Sequence, residues 1–218
     1  ALAANTTGAN NTAVGSASLD ANTTGTQVSA LGVQALGANT TGDSNTAVGY
    51  AALFTNTTAS LNTAMGLNSL YNNTDGSGNT AVGVNAALSN TTGANNVAIG
   101  YASLDANTTA ANNTAVGQTA LSAATTGGGN TGIGQAAMLA NTTGVNNAAV
   151  GHQALKANTS ANDNTAMGVN AMLSNTTGAG NTAVGRSALS ANTTGATNTA
   201  VGNSAGAAVT TGPKNTLI

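Results

Sequence analysis

Residues 11–27 read NTAVGSASLDANTTGTQ, and this 17-residue pattern recurs throughout the chain. Numbering each unit from its first asparagine gives the consensus N-T-A-V-G-x-x-A-L-x-A-N-T-T-G-x-x, with twelve complete copies between Asn11 and Lys214. We call the residues at one repeat position across all copies a column. The fifth column is glycine in every copy: Gly15, Gly32, Gly49, Gly66, Gly83, Gly100, Gly117, Gly134, Gly151, Gly168, Gly185 and Gly202. Residues 1–218 therefore form a single continuous repeat array.

The composition excludes several classes of protein. Aromatic residues are 2% of the chain and charged residues 4%, too few for the core and surface of a conventional globular domain. A hydrophobic fraction of 40% and a net charge of −2 argue against intrinsic disorder. Three basic residues provide no binding surface for nucleic acid, and the apolar runs are too short for membrane insertion.

The residue types within the repeat favour β structure. Each unit contains Gly, Asn and a Thr-Thr pair, which are poor residues for a helix interior. We expect two short strands per unit, one before the fifth-column glycine and one after it, with N-T-T-G forming a second corner. The predicted fold is an all-β parallel β-solenoid of about 13 turns with 17 residues per turn, its columns stacked about 4.8 Å apart.

The columns predict which side chains face the interior. The fourth column is always aliphatic, as at Val14, and the ninth is usually Leu or Met, as at Leu19, so both are expected in the core. Thr12 shares the parity of Val14, which predicts an inward second column and an outward third column. The third column nevertheless stays small, with Ala13 and its equivalents replaced only once by glycine among the complete copies. Either neighbouring chains of a homo-oligomer, most simply a homotrimer, or a crowded solenoid interior would explain this restriction.

Asparagine occupies the first and twelfth columns in most copies. Side-chain amides stacked at strand spacing can form ladders along the solenoid axis. Several twelfth-column residues also begin an N-glycosylation sequon, but glycans are wider than the strand spacing, so the structural ladder is the preferred interpretation. Examples are Asn22, Asn90, Asn141 and Asn192. The glycines of the fifth column are predicted to form structural corners that need positive φ or a close backbone approach.

The chain contains few candidates for catalysis. His152 lies in the variable sixth column, where a solvent-exposed residue is expected rather than a general base. The carboxylates are dispersed along the repeats and do not predict an acid–base pair or a calcium site in every turn; they are Asp20, Asp43, Asp75, Asp105 and Asp163. Residues 127–129 are three glycines without the lysine of a phosphate-binding loop. We therefore predict no enzyme activity, no catalytic residues, no metal and no cofactor.

Threonine fills the thirteenth column in all twelve copies, which raises ice binding as an alternative. A regular array of hydroxyl and methyl groups is what an ice-binding surface needs. Adjacent residues on a strand point to opposite faces, so Thr-Thr does not present an array two threonines wide on one face as Thr-x-Thr would.

The unit N-T-A-V-G-Y-x-A-L…N-T-T-G resembles the repeats of tail-fibre-domain proteins of phages and environmental bacteria. The resemblance covers essentially the whole chain and keeps the 17-residue period. The N-T-A-V-G segment is also similar, more distantly, to the N-S-V-A-I-G head repeats of trimeric autotransporter adhesins, which have a different repeat length. These resemblances imply a homotrimeric fibre that is extracellular, at the cell surface or on a virion, and that serves mechanical reach and attachment.

We thus expect a structural fibre segment, with a self-assembling extracellular filament of stacked solenoids and an ice-binding protein as alternatives. The expected partner is a second copy of the chain, with a cell-surface receptor or glycan as a further possibility. Surface contact is expected at exposed variable columns that carry Tyr50, Phe54, Tyr71 and Tyr101. Scattered surface residues or lateral packing between chains would also explain these aromatics.

Overall fold

The computed structural model describes residues 1–218, and the chain is all-β. Each copy contributes one short strand at its second to fourth positions, and a further strand follows the last complete copy. The strands are β1 (Thr12–Val14), β2 (Ser29–Leu31), β3 (Thr46–Val48), β4 (Thr63–Met65), β5 (Thr80–Val82), β6 (Val97–Ile99), β7 (Thr114–Val116), β8 (Thr131–Ile133), β9 (Ala148–Val150), β10 (Thr165–Met167), β11 (Thr182–Val184), β12 (Thr199–Val201) and β13 (Thr216–Leu217). No helix in the chain has the length and apolar character that crossing a membrane requires.

The chain divides into two compact units, Ala1–Ala111 with β1–β6 and Asn112–Ile218 with β7–β13. Within each unit, every strand pairs in parallel with the next strand along the chain. The pairing places equal repeat positions side by side, so Thr46 lies beside Thr63 in the first unit. One turn of chain per 17 residues with parallel, in-register strands is the β-solenoid that the sequence predicts.

The second strand predicted in each copy is absent. The chain after the fifth-column glycine is a series of turns in which the seventh and ninth residues have left-handed φ, as with Ala51 at 53° and Leu53 at 52°. Its N–H groups still reach adjacent turns, since Ala51 N donates to Val33 O at 3.0 Å and Leu53 N donates to Ser69 O at 3.0 Å. This segment therefore stacks turn on turn without β conformation. The prediction was wrong because side-chain pattern alone does not report backbone handedness.

The third, eighth and ninth columns fill the interior of each unit. On β5, Ala81 is buried, whereas Thr80 and Val82 on either side of it are partly exposed. The middle residue is the buried one in every strand from β2 to β12. The expectation that the second and fourth columns face inward is therefore wrong, and Val14 is 55% exposed. The ninth column is confirmed as core, with Leu53 fully buried.

The third column is small because it packs against the ninth column inside the solenoid. A Cβ atom added to Gly132, the one glycine in this column, would lie 3.3 Å from Cδ1 of Leu121 in the ninth column. At the end of the array the small and the large residue change places. Gly206 holds the ninth position, which is usually Leu, and Leu217 holds the next third position, which is usually Ala. A Cβ atom on Gly206 would lie 2.5 Å from Cδ1 of Leu217. A crowded interior therefore explains the alanine column, and neighbouring chains are not needed to account for it.

The twelfth column forms the predicted ladder of buried asparagine amides. Asn39 Nδ2 donates to Asn22 Oδ1 at 2.9 Å, and Asn56 Nδ2 donates to Asn39 Oδ1 at 2.8 Å. Each amide also closes its own N-T-T-G corner, as Asn39 Nδ2 does by donating to Gly42 O at 3.0 Å. The ladder stops where the sequence changes: Asn107 Oδ1 and Asn192 Oδ1 have no partner, and the copies that follow have Ala124 and Val209 at this position.

The first column forms a second ladder that joins side chain to backbone. Asn62 N donates to Asn45 Oδ1 at 3.0 Å, and Asn45 Nδ2 donates to Ala59 O at 2.7 Å. Both asparagines are fully buried. Since buried polar groups cost free energy unless they are paired, these bonds allow amides to occupy an interior that has few large apolar side chains.

The two corners of each turn are formed by different backbone features. The fifth-column glycines have φ between 129° and 140°, and a Cβ atom on Gly66 would lie 2.5 Å from the carbonyl oxygen of Gly83 in the next turn. Only glycine fits such a close approach at this φ. In the N-T-T-G corner, the N–H groups of Thr91, Thr92 and Gly93 all donate to Thr108 O, at 2.9, 3.1 and 3.3 Å.

Candidate functional site

The outward face of the strands is the most distinctive surface of the chain. Its second column is mainly threonine and its fourth column is aliphatic in every copy. The fourth column is exposed or half-buried throughout both units, with Leu31 51% and Met65 43% exposed. A row of exposed aliphatic side chains at one residue per strand is unusual, because exposed apolar patches in monomeric proteins are normally small.

In the first unit this row is accompanied by a second apolar column. The sixth position lies two residues beyond the fourth, and it holds apolar or aromatic residues in copies two to six. We call the residues at the fourth and sixth positions of these copies the outer strip. Its members are Leu31, Val33, Val48, Tyr50, Met65, Leu67, Val82, Val84, Ile99 and Tyr101. Eight of the ten are large hydrophobic side chains at least 39% exposed, and the strip contains no charged residue.

The four aromatic residues predicted for surface contact lie in two separate places. Tyr50 and Tyr101 are exposed members of the outer strip. Phe54 and Tyr71 belong to the tenth column, where their half-buried rings stack with centroids 5.4 Å apart. The structure therefore brings Phe54 and Tyr71 together but does not bring them to Tyr50 and Tyr101. The stacked pair joins adjacent turns and is half-buried, whereas the tyrosines of the strip are more than half exposed.

The polar residues considered for catalysis remain dispersed. His152 is an exposed residue of the sixth column in the second unit. Asp43 Oδ1 accepts bonds from Thr26 N at 2.7 Å and Thr26 Oγ1 at 2.9 Å, which is a link between adjacent turns. Burial raises the pKa of the Asp105 carboxyl. No group of three His, Cys, Asp or Glu side chains converges as metal ligands would.

An open depression with a volume of about 500 Å³ lies on the surface of the second unit. Its lining combines Leu139 and Leu173 of the tenth column with Lys156 between them and small residues of the eleventh column. Lys156 is the only charged group there, so the depression offers neither an acid–base pair nor a nucleophile with its base.

The threonine columns differ in what their hydroxyl groups do. In the thirteenth column the hydroxyl bonds along the axis, as where Thr40 Oγ1 donates to Thr57 O at 3.0 Å. The second column instead faces outward beside the aliphatic fourth column, which gives most strands an outward Thr-x-aliphatic pair, as in β3 and β4. The hydroxyl groups of the thirteenth column are therefore occupied in stacking, and a different column, whose threonines are half-buried or exposed, faces outward.

The sequon asparagines belong to the interior. Asn22, Asn141 and Asn192 have no exposed surface, and Asn90 is 1% exposed. Their amides are the rungs of the twelfth-column ladder. The ladder interpretation is confirmed, and an attached glycan would require this column to leave the core.

The aliphatic pattern predicts a fourth column in the core, so the outer strip is not predicted from the sequence. The sequence does contain an indication of the true orientation. A glycine in the ninth column, Gly206, is followed by a leucine in the third column, Leu217, and the two positions contact each other in the structure. The fourth position, adjacent to the third on the strand, must then point outward. Comparison with known protein families, with characterised proteins and with solved structures finds no match.

Proposed function

We propose that this chain is a non-enzymatic structural segment of an extracellular or virion-associated fibre, acting as a homotrimer that gives mechanical reach and supports attachment. The observation that carries the proposal is the hydrogen bonding between turns within each unit, where donors and acceptors about 17 residues apart join adjacent turns at many positions of the repeat. The resemblance of the N-T-A-V-G and N-T-T-G segments to tail-fibre repeats supports the trimer and the location.

The backbone supplies the first set of these bonds. In the first unit, Gly66 N donates to Val48 O at 2.8 Å within the sheet, and Thr40 N donates to Thr57 O at 2.9 Å at the N-T-T-G corner. These bonds lie at different places around the same turns. Separating two turns therefore requires several bonds to break together, which is the property that a load-bearing segment needs.

Side chains supply a second set. The amide ladder of Asn22, Asn39 and Asn56 and the hydroxyl ladder of Thr23 and Thr40 run along the same axis as the backbone bonds. Their partners are buried or half-buried, so water competes less for these bonds than for surface contacts. A chain with few large core residues thereby gains rigidity from polar ladders.

The homotrimer is tested by size-exclusion chromatography with light scattering over a hundredfold range of protein concentration. We expect one species with the mass of three chains. A mass that grows without limit as concentration rises would favour the self-assembling filament. A monomer at every concentration would overturn the trimer and, with it, the proposed fibre.

Ice binding is a second candidate function, favoured by the outward threonines of the second column beside the aliphatic fourth column. Thr63 and Thr165 are half-buried residues of this kind. Thermal hysteresis of the purified protein is the measurement, with Thr63→Lys as the disrupting variant and Thr92→Lys, in the fourteenth column, as the control. Ice binding would be supported over the structural role if Thr63→Lys reduces the hysteresis and Thr92→Lys preserves it. A wild-type protein without thermal hysteresis would exclude ice binding.

A further inference from the structure

The fourth column combines two properties that rarely occur together, exposure and constancy. Every complete copy has Val, Leu, Ile or Met there, and the side chain is exposed in nine of the twelve copies and half-buried in the other three. The sixth column is exposed to a similar degree but varies freely, with Ser16, Gln118, His152 and Arg186 among its residues. Solvent exposure therefore does not by itself restrict a column of this chain to aliphatic residues.

The interior does not impose the restriction either. Interior packing explains the third column through its contact with the ninth, but the fourth column lies on the other side of the strand. β-Propensity explains Val and Ile on a strand, yet threonine has similar propensity and never occurs in the fourth column, although it dominates the second. Neither solvent exposure nor interior packing therefore accounts for the restriction of the fourth column to aliphatic residues.

We propose that the outer strip, the apolar residues at the fourth and sixth positions of copies two to six, is the face through which this chain contacts a second copy of itself. This inference rests on the proposed function and deepens it by naming the contact surface. The alanines of the third column pack inside their own chain and give no support to an oligomer. The outer strip is a different surface, and it lies on the outside of the chain.

The spacing of the strip selects a second copy over other partners. Its apolar residues recur once per strand, about every 4.8 Å. A partner that contacts Leu31, Val48, Met65 and their successors equally must repeat at the same interval. Another solenoid of this chain has that interval by construction, whereas a globular protein or a single helix does not.

Charge and size agree with contact between identical copies. No charged residue occupies the second, fourth or sixth position in Ala1–Ala111, so two copies meet without like-charge repulsion. Six complete copies with these three positions give 18 residues, all of which lie in that unit. A stable interface uses about 20–30 residues on each side, so one unit alone supplies most of that number.

The second unit is the weaker candidate for such contact. Its fourth column remains aliphatic, with Met167 46% exposed, but its sixth column includes Gln118, His152 and Arg186. Burying Arg186 would require a partner charge, which an identical copy supplies only if a carboxylate lies opposite. We therefore place the main contact in the first unit.

Cysteine labelling tests the surface directly, since the chain has no cysteine of its own. Leu31→Cys places a thiol on the strip, and Thr41→Cys places one in the exposed fourteenth column of the same copy. In the oligomer we expect maleimide to label Leu31→Cys at least about tenfold more slowly than Thr41→Cys, with equal rates in denaturant. Equal rates in a protein that light scattering shows to be oligomeric would overturn the inference and leave the proposed function standing.

A charge placed on the strip provides the second measurement. Leu31→Asp should raise the dissociation constant of the oligomer by about a hundredfold, because burial would leave the carboxylate unpaired. Thr41→Asp is the matched control, since the chain itself has Asp75 in that column, and it should leave the constant unchanged. Circular dichroism confirms that each variant is folded. Equal effects of the two variants would contradict the assignment, and a monomeric wild-type chain would refute the trimer and the inference together.

Discussion

The third and fourth columns differ as sharply as two neighbouring residues can. Both are nearly constant in the sequence, yet Ala30 is 1% exposed and Leu31 is 51% exposed. The third column is constant because the space between strand and ninth column admits nothing larger than a methyl group. The fourth column is constant although solvent surrounds it. Constancy along a repeat therefore indicates a restriction but does not tell whether the restriction lies inside the chain or outside it.

The largest effect is expected where the interior depends on close stacking of turns. In Gly168→Ala the new Cβ atom would lie 2.5 Å from Gly185 O at a φ of 136°. We expect a loss of about 4 kcal/mol from backbone strain and overpacking together. Urea unfolding followed by circular dichroism measures the change in the free energy of unfolding.

Gly180→Ala is the matched control in the same copy. Gly180 also has positive φ, at 67°, but a Cβ atom there would meet only Cγ2 of Thr197 at 3.6 Å. Other copies already carry non-glycine residues in this column, so the expected loss is about 1 kcal/mol. Equal losses for the two variants would show that close stacking at the fifth column is not limiting.

Two leucines of one copy test the contrast between interior and surface with identical chemistry. Leu36 in the ninth column is fully buried, whereas Leu31 in the fourth column is 51% exposed. Leu36→Ala should cost about 2–5 kcal/mol by leaving a cavity. Leu31→Ala should cost less than about 1 kcal/mol at concentrations where the chain is monomeric.

The concentration dependence separates the two leucines further. If a second copy covers the fourth column, the loss in Leu31→Ala grows as protein concentration rises and the oligomer forms. The loss in Leu36→Ala has no such dependence, because its cavity lies within one chain. A concentration-independent result for both variants would count against contact through the fourth column.

The 17-residue period was sufficient to predict a parallel solenoid, and the asparagine ladders followed from column identity alone. The left-handed backbone conformation of the seventh and ninth residues was not predicted from the sequence. The ninth column holds Leu19, Leu36 and Met138 but never Val or Ile, and its residues have left-handed φ near 50°. Branching at Cβ is disfavoured in that region, so the absence of Val and Ile was an available signal for a left-handed residue in place of a second strand.

The outward surface was the harder part to predict. Aliphatic constancy is the usual mark of a core, and it placed the fourth column inside. The rule fails in a solenoid whose interior is filled by Ala, Leu and buried Asn, because that interior leaves no room for another aliphatic row. The exposed positions of Tyr50 and Tyr101 were predicted, but the direction of the strand, which places the aliphatic fourth column on the outside, was not.

A smaller effect is expected when one rung of the amide ladder is removed. Asn56 Nδ2 donates to Asn39 Oδ1 and to Ala59 O, and Asn56 Oδ1 accepts from Asn73 Nδ2 at 3.1 Å. Asn56→Ala leaves buried polar atoms without partners and should cost about 1–3 kcal/mol. Asn72→Ala changes a half-buried asparagine of the eleventh column and should cost less than about 0.5 kcal/mol. Comparable losses would mean that the ladder adds no stability beyond side-chain packing.

The smallest effect concerns Asp105, which lies on the border between interior and surface in the tenth column. Burial raises the pKa of its carboxyl, and backbone hydrogen bonds from Asp105 and Ala106 oppose part of that rise. The folded state therefore binds the proton more tightly than the unfolded state, and the resulting stability is present below the unfolded pKa and lost as the pH rises through the folded one. Asp105→Asn should raise stability at neutral pH by less than about 1 kcal/mol, because the half-buried carboxylate is partly screened by solvent. Urea unfolding at acidic and neutral pH measures this, with Asp163→Asn as the control for net charge; a pH dependence that Asp105→Asn leaves unaltered would show that the tenth column behaves as open surface.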